Sequence, residues 1–121
     1  MRNSRRSVKT LLAAINEAPD PLHLDITPAV RELSERGLDA VPGLLTLMLD
    51  SDAMTRLRAQ RALEGVVNRR HGFRAGAGFS SKADEKEARD LWRVNGGYDF
   101  EASDSSRTVS VERWREWLDH H

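Results

Sequence analysis

Residues 37–67 read GLDAVPGLLTLMLDSDAMTRLRAQRALEGVV. Val41, Leu44, Leu45, Leu47, Met48 and Leu49 crowd the first half. They predict a helix opening near Asp39 that is apolar on most sides and so deeply buried. Pro42 falls in its first turn, where a missing N–H costs no hydrogen bond. Asp50-Ser51-Asp52 is a polar turn whose side chains suit the cap of the next helix. Ala59, Ala62, Leu63, Val66 and Val67 then recur at three- and four-residue spacings, which predicts a helix from Ala53 to Asn68 or Arg69. Two short amphipathic helices folded back over a tight turn are the unit of a helical solenoid. Such a unit cannot bury its apolar faces alone; it stacks on neighbours and leaves one broad surface free.

Upstream, Val8, Leu11, Leu12, Ile15 and Ala18 share one helical face and predict a helix over residues 7–18. Ala18-Pro19-Asp20-Pro21 ends it, because proline disfavours helical geometry at the residue before it. Thr27-Pro28 opens the next helix with a good cap and a proline at the first position. Ala29, Val30 and Leu33 form its inner stripe, and Gly37 stops it as a left-handed cap. Downstream, GFRAGAGFSS has three glycines and no period, so it reads as a loop. Ser81-Lys82-Ala83-Asp84 opens a helix running to about Val94, with Ala83, Ala88, Leu91 and Trp92 as its weak stripe. Asn95-Gly96-Gly97 breaks it. A polar stretch follows, with Tyr98 and Phe100 to pin it. The last helix is expected over 111–119, with Ser110 as cap and Val111, Trp114, Trp117 and Leu118 on one side.

Gly37, Ala40, Val41, Pro42, Leu44, Leu45, Leu47, Leu49, Asp50, Asp52, Arg56, Ala59, Ala62 and Leu63 together resemble the HEAT-like repeats of bacterial proteins, the kind named after phycobilisome lyases. Thr55 and Gln60 depart from that pattern, which has valine and alanine there. The resemblance covers about thirty residues, with a weaker earlier repeat over 7–37. It implies that Asp50 or Asp52 bonds Arg56 and fixes the two helices. The expected fold is therefore all-α: a short right-handed α-solenoid of about two HEAT-like helix pairs over residues 1–71. An appendage over 72–121 packs on it as a helical C-terminal cap within the same domain.

At 121 residues the chain is long enough for one continuous core. Charged residues make up 31% of it and apolar ones 39%, an ordinary balance for a folded helical protein. Net charge is zero, so no strong field draws in nucleic acid or membrane. The neutrality hides an asymmetry. Residues 1–83 hold 13 basic and 9 acidic side chains, residues 84–121 hold 6 and 10. The simplest expectation is that the tail packs on the body and the charges complement each other. No cysteine is present, which excludes disulfides, thiolate metal sites and cysteine nucleophiles. The basic start MRNSRRSVK precedes an apolar run too short for a signal peptide or a span, so a cytoplasmic protein is expected. A monomer is the expected state.

Arg58, Arg61, Arg69, Arg70 and Arg74, with Arg2, Arg5 and Arg6, are candidates for a basic strip. Arg58 and Arg61 are expected on the outer side of their helix, away from Ala59, Leu63 and Val66. Met54 and Leu57 share that side as candidate partner contacts. The competing reading is a solvated face neutralised by nearby acids. Trp92, Trp114 and Trp117 all fall in the appendage; Trp114 and Trp117 are expected to close the end of the stack, or else to anchor a partner peptide or an unstacked base. His23, His71, His120 and His121 have no metal-ligand spacing. GFRAGAG lacks the lysine and hydroxyl of a phosphate loop. Asp99, Glu101 and Asp104 lack the glycine-containing calcium pattern. Asp84, Glu85 and Glu87 sit where a helix start favours acids. No serine or threonine has a catalytic context, and no cofactor is called for.

These readings point to a non-catalytic protein-binding module, an adaptor or an inhibitor of another protein. Met54, Leu57, Arg58, Arg61, Arg69 and Arg70 are its expected contacts. Nucleic-acid binding through the basic strip is the alternative. A lyase-like role, suggested only by the family's name, needs a pigment-sized pocket that so short a stack can hardly form.

Overall fold

The computed structural model describes residues 5–121. Six α-helices and one 3-10 turn make up its regular structure: α1 Val8–Ala13, α2 Pro28–Ser34, the 3-10 turn Gly37–Ala40, α3 Val41–Leu47, α4 Ala53–Arg70, α5 Lys82–Val94 and α6 Asp104–Asp119. No helix is long and apolar enough to cross a membrane among the described residues.

Five of the six helices start on a hydroxyl or carboxylate cap. Ser7, Thr27, Asp52, Ser81 and Ser103 each accept the backbone N–H three residues on, satisfying a donor that has no partner inside the helix. Thr27 does more. Its buried hydroxyl also donates to the Ile15 carbonyl at 2.8 Å, so the start of α2 is tied to the turn that follows α1. Gly37 takes φ +64 just after α2, the left-handed conformation expected of it.

Three boundaries differ from the sequence expectation. The first helix ends at Ala13 rather than near Ala18. The chain continues through single turns, with Ile15 N bonded to Leu12 O and Glu17 N to Ala14 O, and Ala18 reaches φ +53 ahead of Pro19. Residues 37–40 wind as a 3-10 turn, so α3 begins at Val41. The last helix starts at Asp104, not Val111. Ser103 caps it, and Ser110, expected as the cap, lies buried inside it and donates to the Asn95 carbonyl at 2.6 Å.

Helix α1 packs on α2 and α3 on α4, while α1 touches α3 and α2 touches α4. Glycines mark both crossings. A Cβ on Gly43 would meet Leu12 Cδ1 at 2.1 Å, and one on Gly65 would meet Ser34 Cβ at 2.4 Å. The core between these helices holds Leu11, Leu33, Leu44, Leu45, Met48 and Leu63, all fully buried.

The appendage docks on α3 and α4 through backbone and aromatic contacts. Tyr98 donates its hydroxyl to the Met48 carbonyl at 2.6 Å. Arg56 Nε donates to the Phe100 carbonyl at 3.0 Å, and Gln60 Oε1 accepts the Phe100 N–H at 3.1 Å. Helix α6 lies against α3 and buries Trp114 completely. Trp92 and Trp117 flank that ring, each centroid 5.4 Å away. The expected charge complementarity does not hold the halves together. Among the described residues no ion pair joins residues 5–83 to residues 84–121. Apolar burial of the tryptophan and the carbonyl contacts carry the docking instead.

Candidate functional site

The segment between α1 and α2 stands out once its bonds are traced. Asp20 N donates to Ile26 O at 2.9 Å, His23 N to Asp20 O at 3.1 Å and Ile26 N to His23 O at 2.8 Å. Asp20 Oδ1 accepts the Leu22 N–H at 2.8 Å, an Asx turn. Residues 20–26 therefore form a closed loop with its own hydrogen bonds.

Two arginines of α4 hold that loop. Arg58, only 8% exposed, donates to the Leu24 carbonyl from Nε at 3.0 Å and from Nη2 at 2.7 Å. Its Nη1 reaches Asn16 Oδ1 at 3.0 Å. Asn16 in turn donates to Thr55 Oγ1 at 2.9 Å, and Thr55 donates to Asp52 Oδ2 at 2.8 Å. The Thr55 N–H and hydroxyl hold the Asp52 carboxyl below its ordinary range. Arg61 Nε donates to Asp25 Oδ2 at 2.6 Å. That hydrogen bond, against the opposing cost of burial, keeps the Asp25 carboxyl below its ordinary range.

The result is a pinned backbone with unpinned apolar side chains. Leu22 is 87% exposed and Leu24 58%. A single exposed leucine is common. Two on one short loop, whose carbonyl is clamped by a buried guanidinium, present a ready-shaped apolar knob. No helical stripe claims them, so the sequence alone gives them no role. The signal was there in Leu22-His23-Leu24, apolar residues that no helical stripe absorbs.

The expected strip is largely taken apart by this arrangement. Arg58 is not a free contact, since its helix face lies under the loop rather than open to solvent. Arg61 is half-buried between Asp25 and Glu64, the latter at 2.9 Å. Arg69 lies 3.6 Å from Glu35. Arg6 pairs with Glu32 at 2.7 Å. Arg70 is exposed and sits over the Trp117 ring at 5.8 Å, a cation–π distance. Arg5 and Arg74 are exposed, while Arg2 lies outside the described residues. Met54 and Leu57 are half-buried.

The turn after α3 also differs from its expectation. Arg56 Nη1 donates to the carbonyls of Asp50 and Ser51, at 2.9 and 3.0 Å, not to a carboxylate. The Asp50 carboxylate accepts the Asp52 N–H at 2.8 Å and the Asp52 carboxylate caps α4. Arg56 thus joins the turn to Phe100 through main-chain oxygens. Thr55 and Gln60, the two departures from the repeat pattern, both carry hydrogen bonds that an apolar residue could not make.

No group of three or more histidines and carboxylates is placed to hold a metal among the described residues. Compared with family models, curated proteins and solved structures, the chain finds no significant match.

Proposed function

We propose that this chain is a non-catalytic protein-binding module, a small HEAT-like adaptor or inhibitor that offers the 20–26 loop to an apolar pocket on another protein. The observation that carries the reading is the exposure of Leu22 and Leu24 on a loop locked by Arg58 and Arg61. Ordering a flexible loop on binding costs affinity, and a loop already held in shape avoids that cost. Burying a leucine side chain in a partner pocket gains about 25 cal/mol per Å² removed from water. The helix pairs and their mutual contacts support the two-pair solenoid reading, with Gly43 and Gly65 letting the pairs approach closely. The burial of Arg58 and the pairing of Arg61 with Asp25 and Glu64 weigh against the alternative, because phosphate-backbone binding needs several free cations on one surface. A cytoplasmic monomer remains the proposed setting.

The test is affinity capture from native extract, comparing the parent chain with the double variant Leu22→Asp, Leu24→Asp. One protein should be captured by the parent and reduced at least about tenfold with the variant, at an unchanged Tm. Its capture should survive about 0.5 M salt, since apolar contact is not screened. Equal capture by both chains, or capture lost at that salt, overturns the proposal.

A further inference from the structure

The turn after α4 builds a surface of another kind. Arg74 N donates to the Gly78 carbonyl at 3.0 Å and Gly78 N to the Arg74 carbonyl at 2.9 Å. Gly76 and Gly78 take φ of +83 and +78, the region that lets so short a loop close. Arg69, Gly72, Phe73, Arg74 and Ala75 line an open cleft of about 550 Å³ next to this loop. No carboxylate is among those lining residues.

One cation there is unpaired and the other only loosely paired. Arg74 is exposed and has no ion pair among the described residues. Arg69 has Glu35 at 3.6 Å, beyond hydrogen-bond length, and that glutamate side chain is 56% exposed. The end of α4 would repel an anion through its free carbonyls. Several of those oxygens are already bonded: His71 Nδ1 lies 2.9 Å from Val67 O, Asn68 O accepts the His71 and Phe73 N–H groups at 3.0 Å, and Arg69 O accepts the Gly72 N–H at 3.2 Å. One carboxylate, Asp84, stands beside Gly72 but outside the lining. Phe73 meets Phe79 edge to face, centroids 5.4 Å apart at 68°, a geometry that does not cover both faces of either ring.

We propose that this cleft binds a free nucleotide, its phosphate on Arg69 and Arg74 and its base on Phe73. Two guanidiniums match one phosphate dianion in charge and in fork geometry. An aromatic face beside them selects a phosphate that carries a flat ring. A nucleic-acid polymer is disfavoured, because the chain has zero net charge and Arg56, Arg58 and Arg61 of α4 are engaged, leaving no long track for successive phosphates.

The experiment is calorimetric titration of the intact chain with adenosine monophosphate, inorganic phosphate, adenosine and a short oligothymidylate. The monophosphate should bind at least about tenfold tighter than phosphate or adenosine alone. Arg74→Ala, an exposed position, should weaken it about tenfold at unchanged Tm. Phe73→Leu should weaken the monophosphate and leave inorganic phosphate unaffected. The proposal is overturned if no probe binds, if phosphate alone binds as tightly as the nucleotide, or if Arg74→Ala changes nothing. It is equally overturned if the oligothymidylate binds tightest with steep salt dependence, which would mark a polymer site.

Discussion

Arg58 grips the Leu24 carbonyl with two nitrogens of one guanidinium, Nε at 3.0 Å and Nη2 at 2.7 Å. The side chain that a helical wheel assigns to the solvent face is thereby the fastener of the neighbouring loop. Its burial is tolerable because each of these nitrogens finds an oxygen; an unpaired buried guanidinium would be severely destabilising. The loop depends on the arginine and the arginine on the loop.

Arg58→Ala should therefore lower stability by about 2–4 kcal/mol, since charged-group hydrogen bonds are lost and the Leu24 carbonyl is left without its donor. For a chain of this length that is a fall in Tm of roughly 10 °C. Leu22→Ser, at an 87% exposed position, should shift stability by less than about 0.5 kcal/mol. Thermal denaturation of both variants checks the contrast. Equal, small shifts would show that the guanidinium does not hold the loop.

Tyr98 supplies a second prediction, in alkali. Burial pushes its hydroxyl up to about 12 from an ordinary 10.0, and only the protonated hydroxyl can donate to the Met48 carbonyl. The folded state keeps this proton more tightly than the unfolded state does. The stabilisation is thus complete below pH 10 and is lost as pH rises from about 10 to about 12. Tyr98→Phe should cost about 1 kcal/mol at neutral pH and flatten the stability curve between those limits. Denaturant melts at a series of alkaline pH values provide the measurement; parallel curves for parent and variant would refute the assignment.

The helices and the core were legible in sequence because burial leaves a period. The stripes through Leu33, Leu44, Leu63 and Val66 predicted sides that the structure buries. What period cannot encode is partnership between polar atoms distant in the chain. Residue type does not distinguish Arg58 from Arg70 on the same helix. The first is buried because a carbonyl 34 residues upstream comes to it, and the second is exposed. The start of α6 was missed for a related reason. Its first turn, Asp104-Ser105-Ser106, is exposed and carries no apolar stripe, so only the Ser103 cap announces it. The 20–26 loop escaped because its order comes from main-chain hydrogen bonds, which leave no pattern in side-chain type.

Asp25 and Arg61 give a prediction in acid. The arginine lowers the carboxyl's affinity for its proton, so the pair stabilises the fold above pH 3.8 and fades as pH falls below it through the depressed folded value. Both side chains are partly exposed, at 26% and 35%, and water and salt screen them. A double-mutant cycle of Asp25→Asn and Arg61→Gln at pH 7 should return a coupling below about 1 kcal/mol. The coupling should shrink in high salt and fade as pH falls below 3.8. A coupling that stays constant as pH falls and salt rises would mean that packing, not charge, links the two.

The two interhelical glycines should respond differently to the same change. Alanine favours a helix over glycine by about 1 kcal/mol, so each substitution begins with a gain. At Gly43 the added methyl meets Leu12 Cδ1 at 2.1 Å. That atom ends a flexible, half-buried side chain, which can swing aside, and Gly43→Ala should be close to neutral. At Gly65 the methyl meets Ser34 Cβ at 2.4 Å, with Ser34 Cα at 3.5 Å behind it. A Cβ moves only with its backbone, so α2 must shift away from α4. Gly65→Ala should cost about 1–3 kcal/mol after the propensity gain. Adding Ser34→Gly to that variant should restore part of the loss by removing the opposing atom. Denaturant unfolding of the three chains measures the order. A neutral Gly65→Ala would mean that α2 and α4 are not pressed together at this crossing, and the close stacking of the two helix pairs would lose its main support.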